Sequence, residues 1–539
     1  MPYETLTTIK PRKYQSEIYE VCKDKNCLVV LPTGIGKTLV ALMLAINRAK
    51  VFPGSKTLFL APTRPLTNQH LEYFKKHLPE LFGQLELFTG KIPAEQRKKI
   101  WQTADIIFST PQCVGNDLKK NLYNLEEVSL LIVDECHRCL KNYAYTYVAE
   151  KYKEQAKNPR ILGLTASPGA ERKMVEQIAK NLNIDTIELR TRESSDVKEY
   201  LQELKFEVIH VDFPEDFEKI HSMLKIIFQK KIDELKNRKL LFGPPIKTVI
   251  LETQGRIMKA ISSGNRNFNL IGGVMAASQA IKIEHALELL ETQTLESLNE
   301  YLQNLFEQAR KKESKSVQQL VKRPEFNQAY ILLQHLLAKK TEHPKLIELK
   351  KIVKQELSNN PKVKIIVFSQ YRSTVTKICK EMNSIEGIKA KVFVGQAKKT
   401  NSKGLEETGL SQKEQQEIIK EFSEGRINLI ACTSIGEEGL DICEVSTVIF
   451  YEPVPSAIRT IQRRGRTARL SPGKLFMLIT KNTRDEAYYW AAFHKEKKMH
   501  AAIQHVKDNL DLNNKIEEGI SYEKPTDKNK NINNQKTLF

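Results

Sequence analysis

The segment LPTGIGKT, Leu31 to Thr38, stands directly after the apolar run CLVV and before the helical stretch LVALMLAINRA. A strand, a glycine-containing loop and a helix start make a phosphate cradle, because successive backbone amides and the positive end of the helix dipole converge on one anion. In such a cradle Thr33, Gly34 and Gly36 shape the loop, Lys37 reaches the β and γ phosphates of a nucleotide, and Thr38 holds Mg²⁺. The strict pattern G-x-x-x-x-G-K-[ST] asks for glycine where this chain has Leu31, so a chance Gly-Lys-Thr turn competes with the phosphate reading. A second half of such a site belongs at the end of another strand, and SLLIVDECH supplies it. There Asp134 is placed to bind Mg²⁺ through water and Glu135 to orient or deprotonate an attacking water, although two adjacent carboxylates also occur in ordinary strand-end turns. The neighbouring Cys136-His137-Arg138-Cys139 has no second ligand pair at zinc spacing, so both cysteines are expected to be packing residues.

Elements that position these residues are visible as short apolar runs. CLVVLP, KTLFLAPT, LELFTG, ADIIFST, SLLIVDE and RILGLTAS alternate with helical stretches from Asn26 to about Ile187, as expected of parallel strands buried on both faces. The same rhythm returns in VKIIVFSQ, AKVFVGQ, INLIACTS, STVIFYEP and GKLFMLIT, which predicts a second α/β domain and a cleft between the two. Between them the spacing of Leu287, Leu290, Leu295, Leu298 and Leu302 is helical. The expected division is residues 1–200 for the first domain, 215–341 for a helical insertion, 342–500 for the second domain and 510–539 for a polar, disordered tail.

The chain has 539 residues, with 85 Lys and Arg against 65 Asp and Glu, a formal charge of +20. That excess suits a polyanionic partner through counterion release, or a basic surface kept for solubility. Eight cysteines are too few for a disulfide scaffold and imply reduced thiols in a cytoplasm. No apolar window is long enough to span a membrane, and the first residues lack a secretory pattern.

In order along residues 10 to 495, LPTGIGKT, APTRPLTNQ, STPQ, DECH, TAS, IIVFSQYR, TSIGEEGLD and QRRGRTAR resemble motifs I, Ia, Ib, II, III, IV, V and VI of superfamily 2 helicases. The DEAH-like box, the long helical insert, and the strings YEPVPSAIR and TRDEAYYW resemble archaeal Hef and with it the Fanconi anemia M family, relatives of the RIG-I-like and Dicer helicases. The resemblance implies an α/β fold with two RecA-like parallel-sheet domains and a helical insertion domain between them.

It also implies roles. Gln15 in PRKYQ matches the motif that reads adenine, with Tyr14 packed nearby; Gln462, Arg466 and Arg469 match motif VI, whose arginines reach the γ-phosphate across the cleft; Gly436 and Asp441 line that cleft. Guanidinium charge brought to a transferring phosphoryl group stabilises its transition state, so hydrolysis would require the domains to close. Pro62, Thr63, Arg64, Thr89, Gly90, Thr110, Ser369, Gln396 and Thr433 match loops that grip nucleic-acid phosphate and sugar. Contacts of that kind position a strand without reading its sequence. Thr165 and Ser167 match motif III, expected to couple the ATP site to the nucleic-acid site. Ala468 departs from the pattern, which has glycine there, and this matters if φ is positive.

Some Hef proteins carry a nuclease with an E-R-K-x-x-x-D core; here Glu171-Arg172-Lys173 is followed by Gln177, and no nuclease is expected. The closing QKTLF, Gln535 to Phe539, resembles the start of a sliding-clamp peptide without its downstream aromatic pair. The expectation is an ATP-dependent DNA helicase or translocase acting on forked and branched DNA in fork repair, cytoplasmic and nucleoid-associated. A double-stranded RNA translocase and an ATP-gated branch-point recruitment factor are the alternatives.

Overall fold

A computed structural model describes residues 9–79, 82–265, 267–396, 399–400, 406–407, 409–436, 442–468 and 471–517. Seven strands form the first sheet: β1 Cys27–Val30, β2 Lys56–Leu60, β3 Leu85–Phe88, β4 Ile106–Ser109, β5 Val128–Asp134, β6 Ile161–Thr165 and β7 Thr186–Leu189. They run parallel in the order β3-β4-β2-β5-β6-β1-β7. Successive side chains point to opposite faces, so Leu28 and Val30 enter one apolar cluster while Cys27 and Val29 enter the other. This two-sided burial is why the strands read as continuous apolar runs.

The second sheet contains β8 Leu204–Val211, β9 Ile365–Phe368, β10 Ala390–Phe393, β13 Leu429–Cys432, β14 Thr447–Phe450 and β15 Gly473–Thr480, in the parallel order β10-β13-β9-β14-β15-β8. A small antiparallel pair, β11 Lys399–Thr400 and β12 Glu406–Glu407, lies outside it. Strand β8 falls in the gap left between residues 200 and 215, yet it is an edge strand of the second sheet, paired along its whole length with β15.

The insertion is helical, as expected, with helices Glu215–Asn237, Lys247–Ser262, Phe268–Thr292, Leu295–Arg310, Lys315–Val321 and Pro324–Ala338. All five leucines of the predicted stripe are buried, but on two helices, because Thr294 caps the second by accepting from the Ser297 amide. Phe217, Ile220 and Leu224 of the first helix pack with Ile283, Leu287 and Leu290 of the third.

The tail expectation is corrected over part of its length. Helix Arg484–Glu517 continues past residues 500 and 510. Met499, Ile503 and Val506 are buried in the core of the first domain, with Leu510 packed beside them. That spacing of four, three and four residues is a helical apolar stripe carried by an otherwise polar sequence. Among the described residues no helix is long and apolar enough to cross a membrane, all eight cysteines are free, and no His, Cys, Asp and Glu cluster could hold a metal ion by itself.

Candidate functional site

The candidate residues gather at the carboxyl ends of the parallel strands, where open α/β sheets bind ligands. The loop after β1 carries Thr33, Gly34 and Gly36; Thr63, Thr89 and Thr110 follow β2, β3 and β4; Asp134 ends β5 and Thr165 ends β6. In the second domain Ser369 follows β9, Gln396 lies beyond β10 and Thr433 follows β13.

Gly34 and Gly36 both have φ of 86°, the left-handed region, which bends the loop before helix Lys37–Val51 begins. Leu31, where the strict pattern wants glycine, is a fully buried member of the core. Its side chain therefore anchors the loop. Lys37 Nζ donates to the Leu31 carbonyl at 3.0 Å, and Thr38 follows it on the first turn.

Helix Lys13–Asp24 closes over this loop. Tyr14 donates its hydroxyl to the Ile35 carbonyl at 2.5 Å. Gln15, almost fully buried, donates its amide to the carbonyls of Ile35 at 3.2 Å and Gly36 at 3.3 Å. A side chain at position 36 would collide with that amide, so glycine is required there for space as well as for φ.

Asp134 is held by a residue that no motif announced. His70 Nε2, on helix Arg64–His77, lies 2.9 Å from Asp134 Oδ2, and the Tyr145 hydroxyl donates to the Asp134 carbonyl at 2.7 Å. Burial pushes the Asp134 carboxyl up, but His70 and the nearby Lys37 ammonium outweigh it and hold it below its usual range. A buried, ionised carboxylate beside a lysine and a glycine cradle has the donor set for Mg²⁺ and phosphate together. Glu135 takes a left-handed backbone, φ 48°, and its carboxylate lies 3.1 Å from His137 Nδ1. The same nitrogen lies 3.1 Å from the Thr165 hydroxyl, so motifs II and III touch. Cys136 and Cys139 are both fully buried in the core, as packing residues should be.

Motif VI reaches the cradle from the other domain. Helix Ala457–Arg464 brings Gly465 against Thr33, so close that a methyl carbon on Gly465 would sit 2.7 Å from Thr33 Cβ. Gln462 and Arg466 are buried. Arg463, fully buried, lies over the rings of Phe368 and Phe450 at 5.0 Å and 5.4 Å. Arg464 pairs with Glu496 of the last helix. Ala468 has φ of 56°, so the departure from glycine does fall on a left-handed residue. Gly436 is buried behind Thr433, while Asp441 and Arg469 lie outside the described residues, as does Gln535 to Phe539.

The nucleic-acid candidates divide. Gln396 and Gly90 are exposed, and Thr63 and Thr110 occupy helix N-cap positions. Arg64 lines a cleft of about 530 Å³ whose walls are helix Arg64–His77 of the first domain and helix Gln412–Ser423 of the second. Thr89 is buried, its carbonyl accepting from Arg97. Ser369 is fully buried and donates to Gln293 of the insert at 3.3 Å. It joins motif IV to the insert instead of lying on an open surface.

Residues 12–175 match the DEAD/DEAH box helicase model and residues 345–471 the helicase conserved C-terminal domain. Residues 216–342 match a helical-bundle model provisionally assigned to ATP-dependent RNA helicases. The crystal structure of the Pyrococcus furiosus Hef helicase domain superposes with a TM-score of 0.69 at 42% identity, covering 89% of this chain and 98% of that one. The chain belongs to the Hef and Fanconi anemia M family of superfamily 2 helicases. Family members include a Methanocaldococcus jannaschii protein provisionally named an ATP-dependent RNA helicase, 37% identical over 93% of this chain and 61% of its own length. The mouse Fanconi anemia group M protein homolog is 31% identical over 92% of this chain and 26% of its own length. The chain thus spans less than two thirds of these curated relatives.

Proposed function

We propose that this protein is an ATP-dependent DNA helicase or translocase that unwinds or remodels forked and branched DNA in replication-fork repair and recombination. One observation carries the ATP part: Gly465 of motif VI packs on Thr33 of the cradle, so both halves of a composite nucleotide site meet across the cleft. Lys37, Thr33, Gly34 and Gly36 would hold the phosphates, Thr38 and Asp134 the Mg²⁺, and Glu135 the attacking water. Bound Mg²⁺ would neutralise charge developing on the phosphate oxygens. Gln462, Arg466 and Arg469 would add guanidinium and amide donors only when the domains close. Asp441 and Gly436 would line the same cleft.

Support for DNA comes from relatives. The mouse protein is named for Fanconi anemia group M, and the fml1 protein of Schizosaccharomyces pombe, 30% identical over 87% of this chain, is named an ATP-dependent DNA helicase. Thr63, Arg64, Thr89, Gly90, Thr110, Gln396 and Thr433 would track the backbone of one strand, with Ser369 set behind them. The segment Gln535 to Phe539 would serve a sliding clamp. A second reading, double-stranded RNA translocation, draws on the name of the Methanocaldococcus jannaschii relative.

Steady-state ATP hydrolysis with no nucleic acid, single-stranded DNA, forked DNA and double-stranded RNA, with Lys37→Ala as the blank and strand separation followed in parallel, tests the reading. Strongest stimulation and separation on the fork is the expected result. Preference for the RNA duplex, or turnover with neither strand separation nor remodelling of the fork, would overturn it.

A further inference from the structure

The charge of the insert is concentrated at one end. Between Lys236 and Lys282 stand eight Lys and Arg against the single acid Glu252, whereas from Ile283 to Lys340 eight basic residues face eight acidic ones. The same end exposes apolar side chains. Phe242, Ile246, Leu251, Met258, Phe268 and Ile271 are all exposed, and Phe268 is the extreme at 92%. Single exposed apolar residues are ordinary, but six of them between Phe242 and Ile271, all at the basic end of the insert, are more than scattered exposure explains.

The tip is braced rather than loose. Arg238 Nη1 donates to Asn269 Oδ1 at 3.4 Å and Asn269 Nδ2 returns a bond to the Arg238 carbonyl at 3.2 Å. Arg256 lies 5.3 Å from the Phe242 ring centre. Lys236, Lys239, Arg256 and Lys259 around it are exposed. Phe268 opens the helix Phe268–Thr292, whose 25 residues place its two ends about 37 Å apart. The far end is anchored on the second domain. Gln293 accepts from Thr374 at 2.7 Å and from Ser369 of motif IV, and Glu291 accepts from Arg484 Nε at 2.8 Å.

We propose that this tip is a branch-point wedge, in which the Phe268 ring enters the base stack where two DNA strands part while the surrounding lysines and arginines hold the phosphates. The inference deepens the fork-DNA reading and rests on it. Apolar side chains inserted between base steps offset the cost of unstacking with contact area, and positive charge around them supplies sequence-independent affinity. Charge decides between partners here. An apolar protein surface would be served by Phe242, Ile246 and Met258 alone, whereas the exposed Lys236, Lys239, Arg256 and Lys259, with Glu252 the one acid from Lys236 to Lys282, fit a polyanion, Arg238 and Lys247 being paired with Glu234 and with Glu284 and Glu288. The rigid helix then ties a junction gripped at the tip to motif IV at its other end.

The full chain, Phe268→Ala and Phe268→Trp are titrated onto a fork carrying 2-aminopurine in the first base pair at the junction, and onto the matching single strand. The nearly complete exposure of Phe268 means neither change removes packing, which equal melting temperatures verify. The expected result is a rise in 2-aminopurine fluorescence on binding for the wild type. Phe268→Ala should lose that rise, and its fork-to-single-strand affinity ratio should fall about 10-fold. Phe268→Trp, which still presents a flat ring, should restore both. Equal signals and ratios for the three proteins would overturn the wedge while leaving the fork reading intact. Absence of both fork preference and DNA-stimulated hydrolysis in the wild type would overturn the fork reading and the wedge with it.

Discussion

The Ser167 hydroxyl donates to the sulfur of Met499 at 2.9 Å, joining positions 332 residues apart. Ser167 belongs to motif III and Met499 to helix Arg484–Glu517, which leaves the second domain after β15 and ends against the first. The contact continues inward. The Ser167 amide donates to the Thr165 hydroxyl at 3.1 Å, and that hydroxyl meets His137 beside the acidic pair of motif II. Helix Arg484–Glu517 spans about 51 Å over its 34 residues. It is fastened to the first domain by Lys507 to Glu188 at 3.3 Å, Thr186 to Asp511 at 3.2 Å and Arg172 to His505 at 2.8 Å. Any rotation between the domains must therefore move or bend this helix at motif III.

Breaking that contact should uncouple strand separation from hydrolysis. Met499→Ala would also open a cavity costing about 2–5 kcal/mol, so Met499→Leu is the cleaner change: it keeps the volume and removes the sulfur acceptor. Ser167→Ala and Met499→Leu are expected to lower the ratio of base pairs separated to ATP hydrolysed about 5-fold. Thr165→Ala should lower it as well. Measured in one reaction, an unchanged ratio for all three removes motif III and the last helix from the coupling path.

Gln15 and Tyr14 should act on nucleotide affinity through the loop they hold. Each donates to loop carbonyls, those of Ile35 and Gly36, and a hydrogen bond of this kind contributes about 1 kcal/mol. Gln15→Ala removes two such bonds and is expected to raise the KM for ATP about 30-fold; Tyr14→Phe removes one and should raise it about 5-fold. Titration of hydrolysis rate against ATP checks both. If KM holds and kcat falls instead, the pair aligns the reacting groups and does not shape the cradle.

Gly465 offers a direct probe of domain closure. Its φ of −68° suits any residue, so alanine there meets no backbone strain. The obstacle is Thr33 across the cleft, 2.7 Å from the added carbon. Gly465→Ala is expected to leave the stability of each domain unchanged and to reduce ATP turnover about 10-fold by keeping motif VI from the cradle. Turnover equal to wild type would mean that hydrolysis does not pass through this contact.

The strands that carry the site are legible because parallel strands buried on both faces must be apolar along their length, as CLVV, IIVF, LIAC and TVIF nearly all are. Strand β8 is not, for the same physical reason. It is an edge strand whose consecutive residues Lys205, Phe206 and Glu207 are all exposed, so both faces are partly open there and Lys205, Glu207 and His210 interrupt the apolar run. The end of the last helix is hidden because Met499, Ile503, Val506 and Leu510 are spaced among His500, Gln504, His505, Lys507, Asp508 and Asn509. His70 was invisible for another reason: its approach to Asp134 depends on how a helix packs over the sheet, which local pattern does not encode. Ser369 lies in the segment that resembles motif IV, but its burial against Gln293 depends on how the insert docks, which local pattern does not encode.

Glu452 gives the stability of the second domain a pH dependence. It follows β14, fully buried, and its carboxylate accepts from the Gln370 amide of motif IV at 2.5 Å. Burial raises its pKa to about 7, with Lys345 and Arg463 opposing the rise and Asp485 adding to it. Asp485 is itself in contact with Lys345, both fully buried, so the positive charge nearest Glu452 is shared. An acid whose folded pKa lies above its unfolded value holds its proton in the folded state while the unfolded chain loses it. Stability is therefore highest at low pH with respect to this group, and falls as pH rises from the unfolded value toward 7, by up to about 3 kcal/mol. Glu452→Gln keeps an acceptor for Gln370 and removes the ionisation. The variant should match the wild type near pH 4.5 and exceed it by a margin that grows to about pH 7 and then levels off. Calorimetric unfolding of both proteins from pH 5 to 8.5 measures that margin, and a constant difference across the range would show that Glu452 is ionised in the folded domain throughout.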